Sequence, residues 1–339
     1  MRTPVVIAHR GACGYLPEHT LAAYELAARQ GADLLEPDVV ATRDGVLVVR
    51  HENEISGTTD VATRPELAHR RTTRTVDGVE VTGWFTEDLT LAELRTLRAV
   101  ERLPHLRPAS AAHDRDHAVP TLAELLVLRA RLSEELGREI GVYVETKHPT
   151  HFASLGLPLE EPLLEALRAA GLDDPRAPAF VQSFEPTGLR RLRHGLGARV
   201  RQVLLAAGWD EVPHDLVAAG TPQTCRELLT PVGLRALRGD VDAIGPDKRM
   251  VLDRTSDDAL GRVTPLLAQA HEAGLLVHPW TFRAENVFLP RDLRTGTAPE
   301  AHGRLDAELT AYLEAGVDGF FTDHPDVGVA VRDRHLEKG

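Results

Sequence analysis

The sequence predicts an α/β chain folded as a (β/α)8 TIM barrel with a small inserted subdomain after the second strand region. Three observations predict it. Eight short, β-rich apolar runs recur along the chain: "VVIAHR", "LLEPDVV", "GVYVETK", "AFVQSF", "RVRQVLL", "VDAIGP", "LLVHPW" and "GFFTD". They read as nearly continuous apolar stretches, as do strands of a parallel sheet covered on both faces. The segments between them mostly carry helix signals, which gives the alternation of strand and helix that a barrel needs. An open, doubly wound sheet is the other arrangement such alternation allows.

Taken in order, the first run ends in "IAHRGACGYLPEHT", which delivers His9 and Arg10 to a strand end. Gly11 and Gly14 allow a close turn there, and Pro17-Glu18-His19 leads into the first helix. The second run carries Glu36 and Asp38, and "VLVVRH" ends in His51. The alternation then stops. From there to about Pro120 the chain is polar and threonine-rich, with no clean period in "TRPELAHRRTTRTVDGVEVTGWFTEDLT". Residues 52–120 are therefore expected to form an insertion within one barrel domain spanning residues 1–339, with a single helix near Leu91 to Arg98. Thr90-Leu-Ala-Glu93 and Thr121-Leu-Ala-Glu124 are capping boxes, each followed by leucines at helical spacing. Gly274 and Gly316 stand where helices would end. No fixed-period repeat or low-complexity tract occurs, and "RPASAAHDRDHAVP" reads as a loop.

The composition excludes several classes. With 39 Lys and Arg against 51 Asp and Glu, the formal charge of −12 opposes general nucleic-acid binding, although a local basic site is compatible with it. No apolar run reaches the ~20 residues of a membrane helix, so no integral membrane segment is expected. Cys13 and Cys225 are the only two cysteines and lie far apart in sequence, which leaves no disulfide framework or cysteine metal site. The start "TPVVIAHRG" carries no secretory-signal pattern, so the chain as given is expected in the cytoplasm, or outside it if Met1 replaces a removed signal. The oligomeric state is not encoded in any readable feature.

The chemistry concentrates at the strand ends. Glu36 and Asp38 are two apart in an apolar strand, so both carboxylates point to one side. Two neighbouring anions that lose hydration require a compensating cation or strong donors. Glu145 and Lys147 repeat the spacing in "YVETKHP". Barrel strands converge at their C-terminal ends, so Glu36, Asp38 and Glu145 are candidates to share one metal, and all-oxygen ligation favours Mg2+ or Ca2+ over zinc. Of sixteen histidines, His9 and His51 each end an apolar run and fall near the same rim. A pair of histidines beside a cation can move protons in both directions near neutral pH, one as base and one as acid. Arg10 offers a planar fork and Lys147 a point charge for phosphate oxygens, and salt bridges to the adjacent acids are the competing role for both.

These residues bring the chain into register with a known family: it resembles the glycerophosphodiester phosphodiesterases, nearly end to end. The matching segments are "AHRGACGYLPEHT", "EPDVVATRDGVLVVRHE", "ETKHP", "VQSFEP", "IGP", "VHPWTFR" and "GVDGFFTDHPD". The threonine-rich stretch and "VHPWTFR" are most similar to the longer, periplasmic-type bacterial and the plant members. The resemblance implies hydrolysis of small-molecule glycerophosphodiesters, the deacylated phospholipids, to glycerol 3-phosphate and an alcohol. It implies His9 and His51 as the acid–base pair, Glu36, Asp38 and Glu145 as ligands of one divalent cation, and Arg10 and Lys147 as phosphate contacts. It further implies that the substrate's own glycerol hydroxyl attacks first, through a cyclic phosphate. Gln182, Phe184 and Trp280 match pocket-lining positions, with a core role equally open for the two aromatics.

Two departures stand out. His19 replaces the usual asparagine of the P-E-N-T motif, and Glu52 the aspartate that commonly follows the second histidine. Glu18 and Glu52 are each open to a direct or an outer place about the cation. Two rival readings are a phospholipase D-like lipid phosphodiesterase on a related barrel and a non-catalytic phosphoester-binding barrel. The first would expose an apolar, membrane-docking loop, whereas the insertion here is polar and aromatic content is 4%. The second would lose one of the proton-transfer histidines or the third carboxylate, and this sequence keeps them all.

Overall fold

In a computed structural model describing residues 3–338, the eight apolar runs form eight parallel strands: β1 (Val5–His9), β2 (Leu34–Glu36), β3 (Gly141–Thr146), β4 (Ala179–Ser183), β5 (Arg201–Ala206), β6 (Ala243–Pro246), β7 (Leu276–Val277) and β8 (Gly319–Thr322). Their order is β7-β6-β5-β4-β3-β2-β1-β8. Single backbone bonds close the ring, with Asp318 N donating to Val277 O at 3.1 Å and Phe321 N to Pro279 O at 3.1 Å. The fold is therefore the (β/α)8 barrel that the alternation of runs predicts.

The barrel interior is a packed layer of Ile7, Leu34, Tyr143, Phe180, Val203, Ala243 and Phe321. A larger apolar core fills the space between strands and outer helices, which explains why the strands read as unbroken apolar runs. The first outer helix, Leu21–Arg29, is capped by Thr20, whose hydroxyl accepts from Ala23 N. Both expected capping boxes are present, at Thr90 with Glu93 and at Thr121 with Glu124. Gly316 ends its helix with φ 100°, and Gly274 follows another with φ 78°. No helix among the described residues is long and apolar enough to cross a membrane.

Strand register places the chemistry. Across β1 and β2, His9 is paired with Glu36. Pro37 interrupts β2, and the chain resumes as Asp38–Ala41, pairing Asp38 with Glu145 of β3. Glu145 is in turn paired with Gln182 of β4. Asp38–Ala41 also forms an antiparallel hairpin with Leu47–Val49, and this return strand brings Arg50 and His51 back to the rim.

Between Val49 and Leu122 the chain leaves the barrel in 3-10 turns, a two-stranded hairpin (Thr72–Val76 and Val79–Gly83) and two helices of one turn each, Leu91–Leu94 and Pro108–Ala111. The helix expected to reach Arg98 stops at Leu94. Arg98 instead bridges Ala118, and its amide donates to Asp60 Oδ1 at 2.8 Å, so tertiary pairing overrides the leucine spacing. The hairpin was hidden by its threonines and charges, although Asp77-Gly78, with φ values of 48° and 82°, is a strong turn signal.

Candidate active site

The C-terminal ends of the strands surround a cavity of about 340 Å³ lined by His9, Arg10, Glu36, His51, Glu145, Lys147, Gln182, Phe184 and Trp280, together with Thr281 and Arg283. Nine of the residues singled out in the sequence thus meet on one surface. Asp38 lies directly beside it, and its carboxylate oxygen is within 4.8 Å of those of Glu36 and Glu145.

The turn after β1 is shaped for this contact. Arg10 adopts φ 60°, and its amide donates both to Glu36 O at 3.1 Å and to Glu36 Oε2 at 2.8 Å. Gly11 follows with φ 84°, and a Cβ there would lie 2.7 Å from the carbonyl carbon of Ala23. Gly14 is required for a different reason: a Cβ would meet His324 Nε2 at 2.5 Å. The Arg10 guanidinium donates to Glu18 Oε1 and Oε2 at 3.1 and 3.0 Å and lies 3.6 Å from Asp38 Oδ2. Arg10 therefore pairs with its acidic neighbours while also lining the cavity. Lys147 does likewise, with Nζ 2.8 Å from Glu145 Oε1, 3.2 Å from His51 Nε2 and 5.5 Å from the Phe184 ring centre.

Glu36, Asp38 and Glu145 are all buried. Glu36 accepts from Arg10 N on one oxygen and from Gln182 Nε2 at 2.9 Å on the other. Asp38 Oδ2 lies 2.8 Å from His19 Nε2, whereas Oδ1 is buried with no hydrogen-bond partner. Burial, then the charges of Asp38 and Glu145, push the Glu36 carboxyl well above the usual carboxylate range. Burial, opposed by Lys147 and reinforced by Asp38, pushes Glu145 to about 8. Three carboxyls so placed hold their charges together only with a cation among them, and the unpartnered Asp38 oxygen is the kind of donor one would take up. The residues present fit a hard divalent ion.

Each histidine stands against a carboxylate. His9 Nδ1 lies 2.6 Å from Asp323 Oδ1, and His51 Nδ1 lies 2.8 Å from Glu52 Oε1. Burial and the Arg10 charge lower His9 to about 3 in spite of Asp323, and burial followed by Arg10 and Lys147 lowers His51 as well. Both rings are thus neutral at rest, and a carboxylate facing Nδ1 fixes the Nδ1–H tautomer and leaves Nε2 unprotonated. Lys147 donates to that nitrogen of His51 at 3.2 Å.

Glu52 lies outside the carboxylate cluster. Its two oxygens are engaged by His51 and by His148 Nε2 at 2.9 Å, so it serves the histidine where a place about the cation had been open to it. Glu18 is held by Arg10 and by Arg102 Nε at 3.0 Å. Phe184 and Trp280 meet edge to face at 5.7 Å on the cavity wall, and the Trp280 indole donates to Gly245 O at 2.7 Å.

Several functional neighbours were not singled out in the sequence. Asp323 lay unremarked inside "GFFTDHPD"; its Oδ2 accepts from Arg107 Nη2 at 2.6 Å and from Arg283 Nε at 2.9 Å. Arg107 comes from the stretch read as a loop and carries no periodic signal, yet its side chain is buried and its Nε also donates to Glu285 Oε1 at 2.5 Å. His19 turns out to be a support. It is wholly buried, burial keeps its ring neutral, and it links Asp38 Oδ2 to the Tyr24 hydroxyl at 2.7 Å from Nδ1. His19, where the motif has asparagine, thus supplies a donor to Asp38 Oδ2 and leaves Oδ1 without a partner.

Compared with known proteins, the sequence matches the glycerophosphoryl diester phosphodiesterase family over residues 9–327. It is 32% identical to a glycerophosphodiester phosphodiesterase of Arabidopsis thaliana, across 94% of this chain and 83% of that protein. It is 28% identical to a glycerophosphodiester phosphodiesterase of Haemophilus influenzae, across 96% of this chain and 88% of that protein. Two solved structures share the fold. One, from Silicibacter pomeroyi, has a TM-score of 0.67 at 23% identity and 98% and 95% coverage of the two chains. The other, an Oleispira antarctica phosphodiesterase in complex with the product sn-glycerol-3-phosphate, has a TM-score of 0.59 at 20% identity and 98% and 97% coverage.

Proposed function

Because the chain belongs to the glycerophosphoryl diester phosphodiesterase family, we propose that it hydrolyses glycerophosphodiesters to glycerol 3-phosphate and an alcohol by two-histidine acid–base catalysis around a divalent cation. The observation that carries this reading is the convergence on one cavity of two histidines, each with a carboxylate behind its Nδ1, and two members of a three-carboxylate cluster. The cavity volume of about 340 Å³ suits a compact polar diester.

Glu36, Asp38 and Glu145 would hold the cation, Ca2+ or Mg2+ by their all-oxygen chemistry. Bound there, it supplies charge neutralisation for the phosphoryl oxygens. Arg10 and Lys147 orient the phosphate from either side of the carboxylates. Gln182, Phe184 and Trp280 form the walls against which the glycerol and alcohol arms lie.

His9 serves as the base. Its Nδ1–H is donated to Asp323, so Nε2 takes the proton from the glycerol hydroxyl next to the phosphate as the new O–P bond forms. The bond from phosphorus to the alcohol oxygen breaks, and His51, protonated for this step, gives its proton to that oxygen. Burial first, then the Arg10 and Lys147 charges, keep His51 neutral at rest, and an entering anionic diester offsets those two charges. Water then opens the cyclic phosphate by the reverse use of the same pair. Incubation with glycerophosphocholine and, separately, with intact phosphatidylcholine vesicles tests the reading. Glycerol 3-phosphate and choline are expected from the first, while faster headgroup release from the vesicles would replace the reading by a lipid phosphodiesterase.

A further inference from the structure

We infer that His148 is a positioning residue for His51: it holds Glu52 against the His51 ring and is itself tied to the tip of the inserted hairpin. The inference rests on the acid role given to His51 above. Glu52 differs from Asp323 in its surroundings. Asp323 is buried and fixed by two arginines, whereas the Glu52 side chain is 45% exposed and carries one more rotatable bond. A half-exposed carboxylate with one partner loses orientation to solvent and to rotamer entropy.

His148 supplies the missing constraint. Its Nε2 lies 2.9 Å from Glu52 Oε2, while Oε1 of the same carboxylate faces His51 Nδ1 at 2.8 Å. Its Nδ1 lies 2.5 Å from Asp77 Oδ2, in the turn of the hairpin formed by Thr72–Val76 and Val79–Gly83. With a carboxylate on each ring nitrogen, His148 donates twice and is held as an imidazolium. Burial opposes that charge, but Asp77 and Glu52 outweigh it and raise His148 to about 9. The residue is held in the left-handed region, φ 51° and ψ 45°, between Lys147 and Pro149. Such a backbone is uncommon outside glycine and is tolerated best by Asn, Asp and His. Lys147 and His148 thus grip the His51–Glu52 pair from opposite ends, one at His51 Nε2 and the other at Glu52 Oε2. Through Asp77, the inserted segment takes part in aligning a proton donor.

The test compares two diesters in the full chain. Glycerophosphocholine has a poor alkoxide leaving group that needs a proton, and glycerol p-nitrophenyl phosphate releases a phenolate that does not. His148→Asn, which keeps the left-handed backbone accessible, is expected to lower kcat on the choline diester on the order of 10-fold. KM and the first-turnover burst of p-nitrophenolate should change less than about twofold, and His148→Gln, whose longer side chain carries its amide donor closer to Glu52, should recover part of the loss. Equal losses on both diesters, or no loss on either, overturn the inference. The His51 tautomer, read by 15N NMR, checks the clamp without turnover. The variant should convert a single Nδ1–H form to a mixture, and an unchanged tautomer also overturns it. Failure of the acid role itself shows elsewhere, as equal losses on the two diesters in His51→Ala.

Discussion

Asp323 Oδ1 meets His9 Nδ1 at 2.6 Å while its other oxygen accepts from Arg107 and Arg283, so one buried carboxylate from the last strand end orients a histidine from the first. Burial disfavours the charge, but Arg283, Arg107 and His9 together hold the Asp323 carboxyl well below the usual range. The ring opposite is thereby kept with Nδ1–H toward the acid and Nε2 toward the cavity.

Asp323→Asn keeps the shape and removes the charge. The expected result is a loss in kcat on the order of 10²–10⁴-fold, because the amide no longer enforces the tautomer that leaves Nε2 able to accept a proton. Arg283 loses its counter-ion and Arg107 one of its two, Glu285 remaining, so a fall in the thermal midpoint should accompany it. A variant of unchanged kcat would separate Asp323 from the reaction.

The carboxylate cluster makes metal and stability one measurement. Chelated and dialysed protein should lose activity, and adding back Ca2+ or Mg2+ should raise the thermal midpoint. At a hundred times the dissociation constant, the stabilisation is about 2.7 kcal/mol. Glu145→Gln, which removes one of the three charges, should weaken this metal-dependent rise. A midpoint indifferent to both ions in chelated wild type would count against a cation among Glu36, Asp38 and Glu145.

Much of this was legible in the residues because register and period do the placing. Once eight parallel strands are recognised, His9, Glu36, Asp38, Glu145 and Gln182 fall at neighbouring strand ends by the pairing rules alone. The supports were not legible. Arg107 reaches Asp323 across 216 positions of sequence, and His148 reaches Glu52 across 96, contacts that no local pattern encodes. The helix after Thr90 failed for a related reason. Its leucines, Leu94 and Leu97, are buried, but the backbone at Arg98 is claimed by Asp60 and Ala118. Glu52 stayed open in the sequence because its position after His51 fits either a metal ligand or a histidine partner, and its side chain here faces His51 and His148.

His148 gives a pH signature in stability. Its folded value, raised from 6.5 to about 9, means that the folded state holds a proton more tightly than the unfolded one. The contribution is therefore complete below pH 6.5 and is lost as pH rises through about 9. Urea unfolding of wild type and His148→Asn should show their largest difference at pH 6 and a shrinking one toward pH 9. A difference that grows with pH would reverse the assigned charge of the ring.

Two glycines with similar backbones separate crowding from strain. Gly11 has φ 84° and a would-be Cβ 2.7 Å from backbone atoms of Ala23, while Gly45 has φ 78° and nothing within 4 Å. Gly45→Ala should cost on the order of 1 kcal/mol from the left-handed backbone alone. Gly11→Ala should cost more and also lower kcat, because the displaced turn carries Arg10. Equal costs by thermal unfolding would remove the close approach as the reason for Gly11.

The account stands most directly on the rate of glycerol 3-phosphate release from glycerophosphocholine by metal-loaded wild type, His9→Ala and His51→Ala. It predicts turnover by wild type and a loss on the order of 10²–10⁴-fold in each variant, with the folded state retained by circular dichroism. Full turnover in either folded variant would contradict the two-histidine assignment.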